Sequence, residues 1–160
     1  MKRWLRKGLI TTIVLFAAVQ AVPYGWRHSN PPVRADAPWP DQQTAALART
    51  SCYACHSNET DWPVYSYVAP MSWLVRRDVE SGRDELNFSE WGVDSDADDA
   101  AETIAEGFMP PSRYTMLHPD ARLSDEEQRQ LIAALEAMER DEDRGEDSGH
   151  DEPDDGDADD

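Results

Sequence analysis

The stretch RTSCYACHSNE, residues 49–59, holds both cysteines of the chain, three positions apart, with a histidine directly after the second. Cys52-Tyr53-Ala54-Cys55-His56 has four chemical readings: a disulfide, half of a zinc site, a thiol redox pair, or a point where a porphyrin is bonded to the chain. Each needs different company elsewhere in the 160 residues.

A thioredoxin-like pair belongs in a βαβ setting, and no segment beyond residue 26 alternates as a strand would. A structural zinc ion needs two more Cys or His ligands. Only His28, His118 and His150 remain, in a Pro-rich stretch, a loop and an acidic terminus. A disulfide closing so short a loop confers little and leaves His56 without a role. Haem attachment accounts for all three residues. Thiols one helical turn apart reach the two vinyl groups along one porphyrin edge, and the next histidine gives the iron its proximal nitrogen. One covalent haem c on Cys52, Cys55 and His56 is the expected cofactor.

The flanking sequence reads as helix. Asp41 is an N-cap for a helix running through the motif over 41–56. A second helix starts at Pro70 and places Met71, Leu74, Val75 and Val79 on one face. A weaker one over 96–107 stops at Gly107. The last, over 123–140, opens with the capping-box pair Ser124 and Glu127 and sets Leu131, Ile132, Leu135 and Met138 on one side. The fold class is all-α: a small cytochrome c-like helical domain around one haem, spanning 41–140. Asp94, Asp96 and Asp98 resemble the start of a calcium loop, but the sixth position is Asp99 where glycine is needed and the twelfth is Ala105 where glutamate is needed.

The two ends differ sharply. Lys2, Arg3, Arg6 and Lys7 precede nineteen uncharged residues, 8–26, which as a helix cover about 28 Å. This is the pattern of a membrane anchor over 1–26, basic end inside, with Tyr24 and Trp26 at the outer interface; a cleaved signal peptide is the competing reading. Residues 27–40 hold four prolines and read as an extended linker. From 141 to 160 there are twelve acidic residues and one basic, so this tail carries −11 of the formal −18. It is expected to be disordered. Nucleic acid is not expected among the partners.

A six-coordinate haem needs a second axial donor. Residues 107–119, GFMPPSRYTMLHP, offer Met109, Met116 and His118. Met109 is favoured, because it follows the Gly107 stop and precedes Pro110-Pro111, which stiffen the backbone around a flexible side chain. His118 is the runner-up, and Met116 reads as core packing. The Met-Pro step before the last helix is similar to that of small soluble cytochromes c. Trp62, Tyr65, Tyr67, Trp73 and Trp91 read as core wall and porphyrin packing, with Arg76, Arg77 and Arg113 as candidates for the haem propionates.

The middle of the chain resembles the bacterial haem-binding domain family of membrane-anchored, single-haem c-type proteins. The matching residues are NPPV (30–33), CYACHSNETDWPVYSYVAPMSWLV (52–75), LNFSEW (86–91) and MPPSRYTMLHPDARLS (109–124). The resemblance implies covalent haem on Cys52 and Cys55 with iron on His56, and includes both Met109 and His118. The function expected is single-electron transfer at the outer face of the cytoplasmic membrane, with a redox partner protein bearing a basic docking face. A haem-based sensor with a labile sixth position is the alternative, and an enzyme is not expected.

Overall fold

The computed structural model describes residues 2–92 and 95–147, with side chains to 141. Asp94 of the failed calcium pattern, His150 and the tail beyond Asp147 lie outside the described residues. Among the described residues the regular structure is helical, and the only bridge of strand type is the isolated parallel pair Ala35 and Glu90. The chain forms two compact units. The first holds residues up to Asp36 together with Cys52–Trp91, and the second holds Ala37–Ser51 and the chain from Gly92 onward.

The first unit contains α1 (Lys2–Gln20), the single turn α3 (Tyr53–His56), a 3-10 turn at Val64–Tyr67, and α4 (Met71–Glu85). Its core is aromatic. Phe88 lies stacked between Tyr53 and Trp91, with ring centroids 5.4 and 6.1 Å away, and all three are buried beside Val79 and Leu86. On α4 the buried positions are Ser72, Val79 and Gly82. Leu74, expected on the buried face, is 37 % exposed, because the helix is packed through its small residues, where backbones approach closely.

The N-terminal region differs from expectation in two respects. The helix α1 ends at Gln20 instead of running to residue 26, so its uncharged part covers only about 20 Å against a hydrocarbon thickness of about 30 Å. Among the described residues no helix is long and apolar enough to cross a membrane. The Pro-rich segment is extended, but it is a strap and not a free spacer. The backbone N–H groups of Arg34 and Ala35 donate to the Ser89 carbonyl, and Trp91 N–H donates to Ala35. The Tyr53 hydroxyl donates to Asp36, and the His28 ring is stacked on Tyr67 at 4.0 Å. Prolines leave few backbone donors to satisfy, so a handful of bonds suffices to hold it.

The second unit contains α2 (Gln42–Ser51), α5 (Ala97–Ala105), α6 (Ser112–Leu117), a 3-10 turn at Pro119–Ala121, and α7 (Asp125–Asp147). Here the caps fall where the side-chain chemistry places them. Asp41 accepts from the Thr44 N–H and hydroxyl, both at 2.8 Å. Asp96 accepts from Asp99 N–H. Ser124 and Glu127 exchange side chain-to-backbone bonds at 2.7 and 3.4 Å. Gly107 ends the α5 region at φ 76°, the left-handed conformation that favours glycine. α7 lies on α5 and α2 through Leu131, Ala134, Leu135 and Met138, against Ala48, Ala97, Ala101 and Ile104. Each leucine so buried contributes about 2 kcal/mol, and the alanines let the axes come close. α7 continues to Asp147, seven residues into the stretch expected to be disordered, because extending an existing helix fixes one residue per bond gained.

Candidate haem-binding site

The helix expected over 41–56 is interrupted at Cys52, and this break builds the site. Cys52 has φ −121° and ψ −39°, outside the helix, and its carbonyl accepts from both Cys55 and His56 N–H at 3.0 Å. The doubly used acceptor closes a single turn, which brings Cys52 and Cys55 to one side. They form no disulfide. Although Cys52 as a residue is half-buried, burial and then the neighbouring Cys55 push its thiol up to about 12. A thiol so held is protonated, unlike the low-pKa thiolate of a redox-active pair. Among the described residues no three His, Cys, Asp or Glu side chains gather as a metal-binding group.

The support beneath the turn is α4. A Cβ built on Gly82 would stand 2.7 Å from the Cys55 carbonyl oxygen and 3.0 Å from the Cys55 Cβ, so only glycine allows this approach. Just past the end of α4, the Leu86 carbonyl lies 3.1 Å from His56 Nδ1. A carbonyl oxygen can only accept, so Nδ1 carries the hydrogen and Nε2 keeps its lone pair. Burial holds the imidazole below its ordinary value of 6.5, opposed by the Leu86 and Gly82 carbonyls and the Glu85 charge. A neutral ring with Nδ1 fixed to a backbone carbonyl is the state an iron-ligating histidine requires.

The loop after the motif is fastened by residues that sequence reasoning did not single out. Arg83 donates to Ser57 O (2.7 Å), Ser29 O (3.1 Å), Asn30 Oδ1 (3.1 Å) and Thr60 Oγ1 (3.0 Å). Asn58 donates to Pro32 O and Glu90 and accepts from Asn87, while Thr60 donates to Ala54 O at 3.0 Å. The polar run Ser57-Asn58-Glu59-Thr60 directly behind the motif was the available signal, since buried polar groups must find partners. Of the arginines named from sequence, Arg76 is already engaged with Glu80 and the Arg27 carbonyl. The Trp91 indole N–H is buried with no acceptor, as a donor awaiting a carboxylate would be. The Cys52, Cys55, His56 and Trp91 environment therefore fits a haem.

In the second unit, Met109 is half-buried and its N–H donates to Thr103 O at 3.3 Å, in the chain reversal after Gly107. His118 is half-buried, its ring stacked on Tyr114 at 4.4 Å. Both lie beside the unexpected helix α6. Met116, expected to fill the core, is 75 % exposed; α6 turns Thr115 inward instead.

These features define a haem-binding protein, and the chain belongs to the haem-binding domain family, whose model matches residues 14–137. It is also similar to the cytochrome c peroxidase Ccp of Escherichia coli (strain K12), 26 % identical over 125 residues, which cover 69 % of this chain and 27 % of that protein. The chain thus spans about a quarter of the length of that relative. No solved structure matches it.

Proposed function

We propose that this protein carries one covalent haem c and passes single electrons at the outer face of the cytoplasmic membrane. The observation that carries this reading is His56, with Nδ1 committed to the Leu86 carbonyl so that Nε2 keeps its lone pair, in the turn that holds Cys52 and Cys55. Haem supplies a reversible one-electron couple when bound. The chain's part is to hold and tune it: Cys52 and Cys55 as thioether anchors, His56 as proximal ligand, and Met109 as the sixth donor ahead of His118. Thioether ligation raises the potential, while a second imidazole lowers it.

The location rests on α1, which has no buried residue and exposes apolar side chains from Trp4 to Phe16. Its basic residues reach back to the headgroups by their long stems, which shortens the apolar length required. The net charge of −18 favours encounter with a redox partner that presents a basic face, more at low salt than high.

A second reading, peroxide reduction, is favoured by the similarity to a cytochrome c peroxidase. It needs an open sixth position and an acid-base group such as His118. We take electron transfer as the function. Full-length protein matured in a host that attaches haem should gain the mass of one haem, lost in Cys52→Ser/Cys55→Ser, and should be low-spin in both oxidation states. High-spin ferric iron with rapid peroxide turnover would favour the enzyme, and no added mass would sink the covalent reading.

A further inference from the structure

The end of α1 is clamped to the domain. The Gln20 side chain donates to the Ala69 carbonyl at 3.0 Å and accepts from the Ala69 N–H at 2.9 Å. Five residues on, Gly25 at φ 87° lies so close to Ser72 that a Cβ would meet its carbonyl at 2.7 Å. Whatever α1 enters, the surface of α4 is held beside the exit point.

That surface carries an open groove of about 470 Å³ lined by Val22, Tyr24, Trp73, Leu74 and Arg77. Its walls are mostly apolar, and Val22, Tyr24 and Leu74 remain 37–44 % exposed. The Trp73 indole N–H is buried without an acceptor. Arg77 forms no salt bridge among the described residues, and the nearby Glu80 is already occupied by Arg76 and the Tyr24 hydroxyl.

From these features we infer that the groove binds an anionic phospholipid, its acyl chain along Val22 and Leu74 and its phosphate taken by the exposed Arg77 guanidinium. Tyr and Trp with one apolar body and one polar tip suit the headgroup level, and a guanidinium matches a phosphate in charge and shape. Val22 of the groove lies two residues beyond the end of α1, whose apolar side chains from Trp4 to Phe16 are exposed, which argues for lipid over a protein segment. This rests on the membrane tether proposed above, and the two are tested separately.

Full-length haem-loaded protein is mixed with vesicles of phosphatidylcholine, with or without phosphatidylglycerol, each carrying a small fraction of photo-crosslinking lipid of the matching headgroup. Flotation reads the tether; adducts mapped by peptide mass spectrometry read the groove. Crosslinking by phosphatidylglycerol to residues 22–24 and 71–77 is expected, reduced about fivefold in Arg77→Gln with flotation unchanged. Adducts confined to residues 2–20, or equal labelling of the groove by phosphatidylcholine, overturn the groove and leave the tether standing. Absence of flotation overturns the tether. In that event soluble short-chain phosphatidylglycerol decides the groove, by whether it labels residues 71–77 in wild type and not in Arg77→Gln.

Discussion

The Gly82 backbone passes so close to Cys55 that a methyl group there would sit 2.7 Å from the Cys55 carbonyl oxygen. Helix propensity alone predicts that Gly82→Ala stabilises α4 by up to about 1 kcal/mol. The contact reverses the sign. Backbone cannot swing aside as a flexible side chain could, so a net loss of about 1–3 kcal/mol is expected. Urea unfolding of the purified variant measures it, and a gain in stability would show that α3 and α4 do not meet in this way.

Arg83 joins the strap at Ser29 and Asn30 to the loop at Ser57 and Thr60 through four hydrogen bonds. Lysine keeps the charge but cannot fork to these acceptors. Arg83→Lys should lower stability by about 2 kcal/mol and expose the strap. Limited trypsin digestion then cuts faster after Arg27 and Arg34. Unchanged digestion would mean that the strap is held mainly by its backbone bonds to Ser89.

What was legible in the sequence is what local chemistry decides. The Cys-x-x-Cys-His spacing, the caps at Asp41 and Ser124 and the stop at Gly107 each act within four residues, so pattern suffices. The interruption at Cys52 was not legible, because residues 42–56 have continuous helix character and the break shows only in the backbone angles and the shared Cys52 carbonyl. Nor was the Arg83 hub, whose partners lie 23 to 54 positions away. Leu74 illustrates a third limit. Periodicity identifies a face, but glycine or serine can be the residue a neighbour packs on, and an apolar side chain then stays outside.

The Tyr24–Glu80–Arg76 group makes part of the strap sensitive to acid. The Arg76 hydrogen bond, then that from Tyr24, hold the Glu80 carboxyl below its ordinary 4.5 against burial. A carboxylate with a depressed folded-state pKa gives stability that is present above its unfolded value and lost as pH falls through the folded one. The wild type should therefore lose its advantage over Glu80→Gln progressively below about pH 4.5. The effect is modest, since the side chain is 43 % exposed and solvent screens it. Paired urea titrations from pH 7 to 3 follow the difference, and one that stayed constant across that range would remove Glu80 from the account.

Met109 and Met116 make a matched test of the sixth ligand. Both are thioethers near helix α6, but Met109 is half-buried behind the Gly107 reversal whereas Met116 is 75 % exposed. If Met109 supplies the sixth donor, Met109→Ala removes the near-infrared thioether-to-iron band of the ferric protein and lowers the potential. Met116→Ala should leave the spectrum unchanged and stability within about 0.5 kcal/mol of wild type, as for surface substitutions generally. His118→Ala should weaken its stack on Tyr114 without altering the band. Loss of low-spin character in the His118 variant alone would transfer the ligand role to the imidazole. A low-spin spectrum unmoved by all three substitutions would instead mean a sixth donor from outside this set, whereas a high-spin one would mean the open position that a ligand sensor or peroxidase needs.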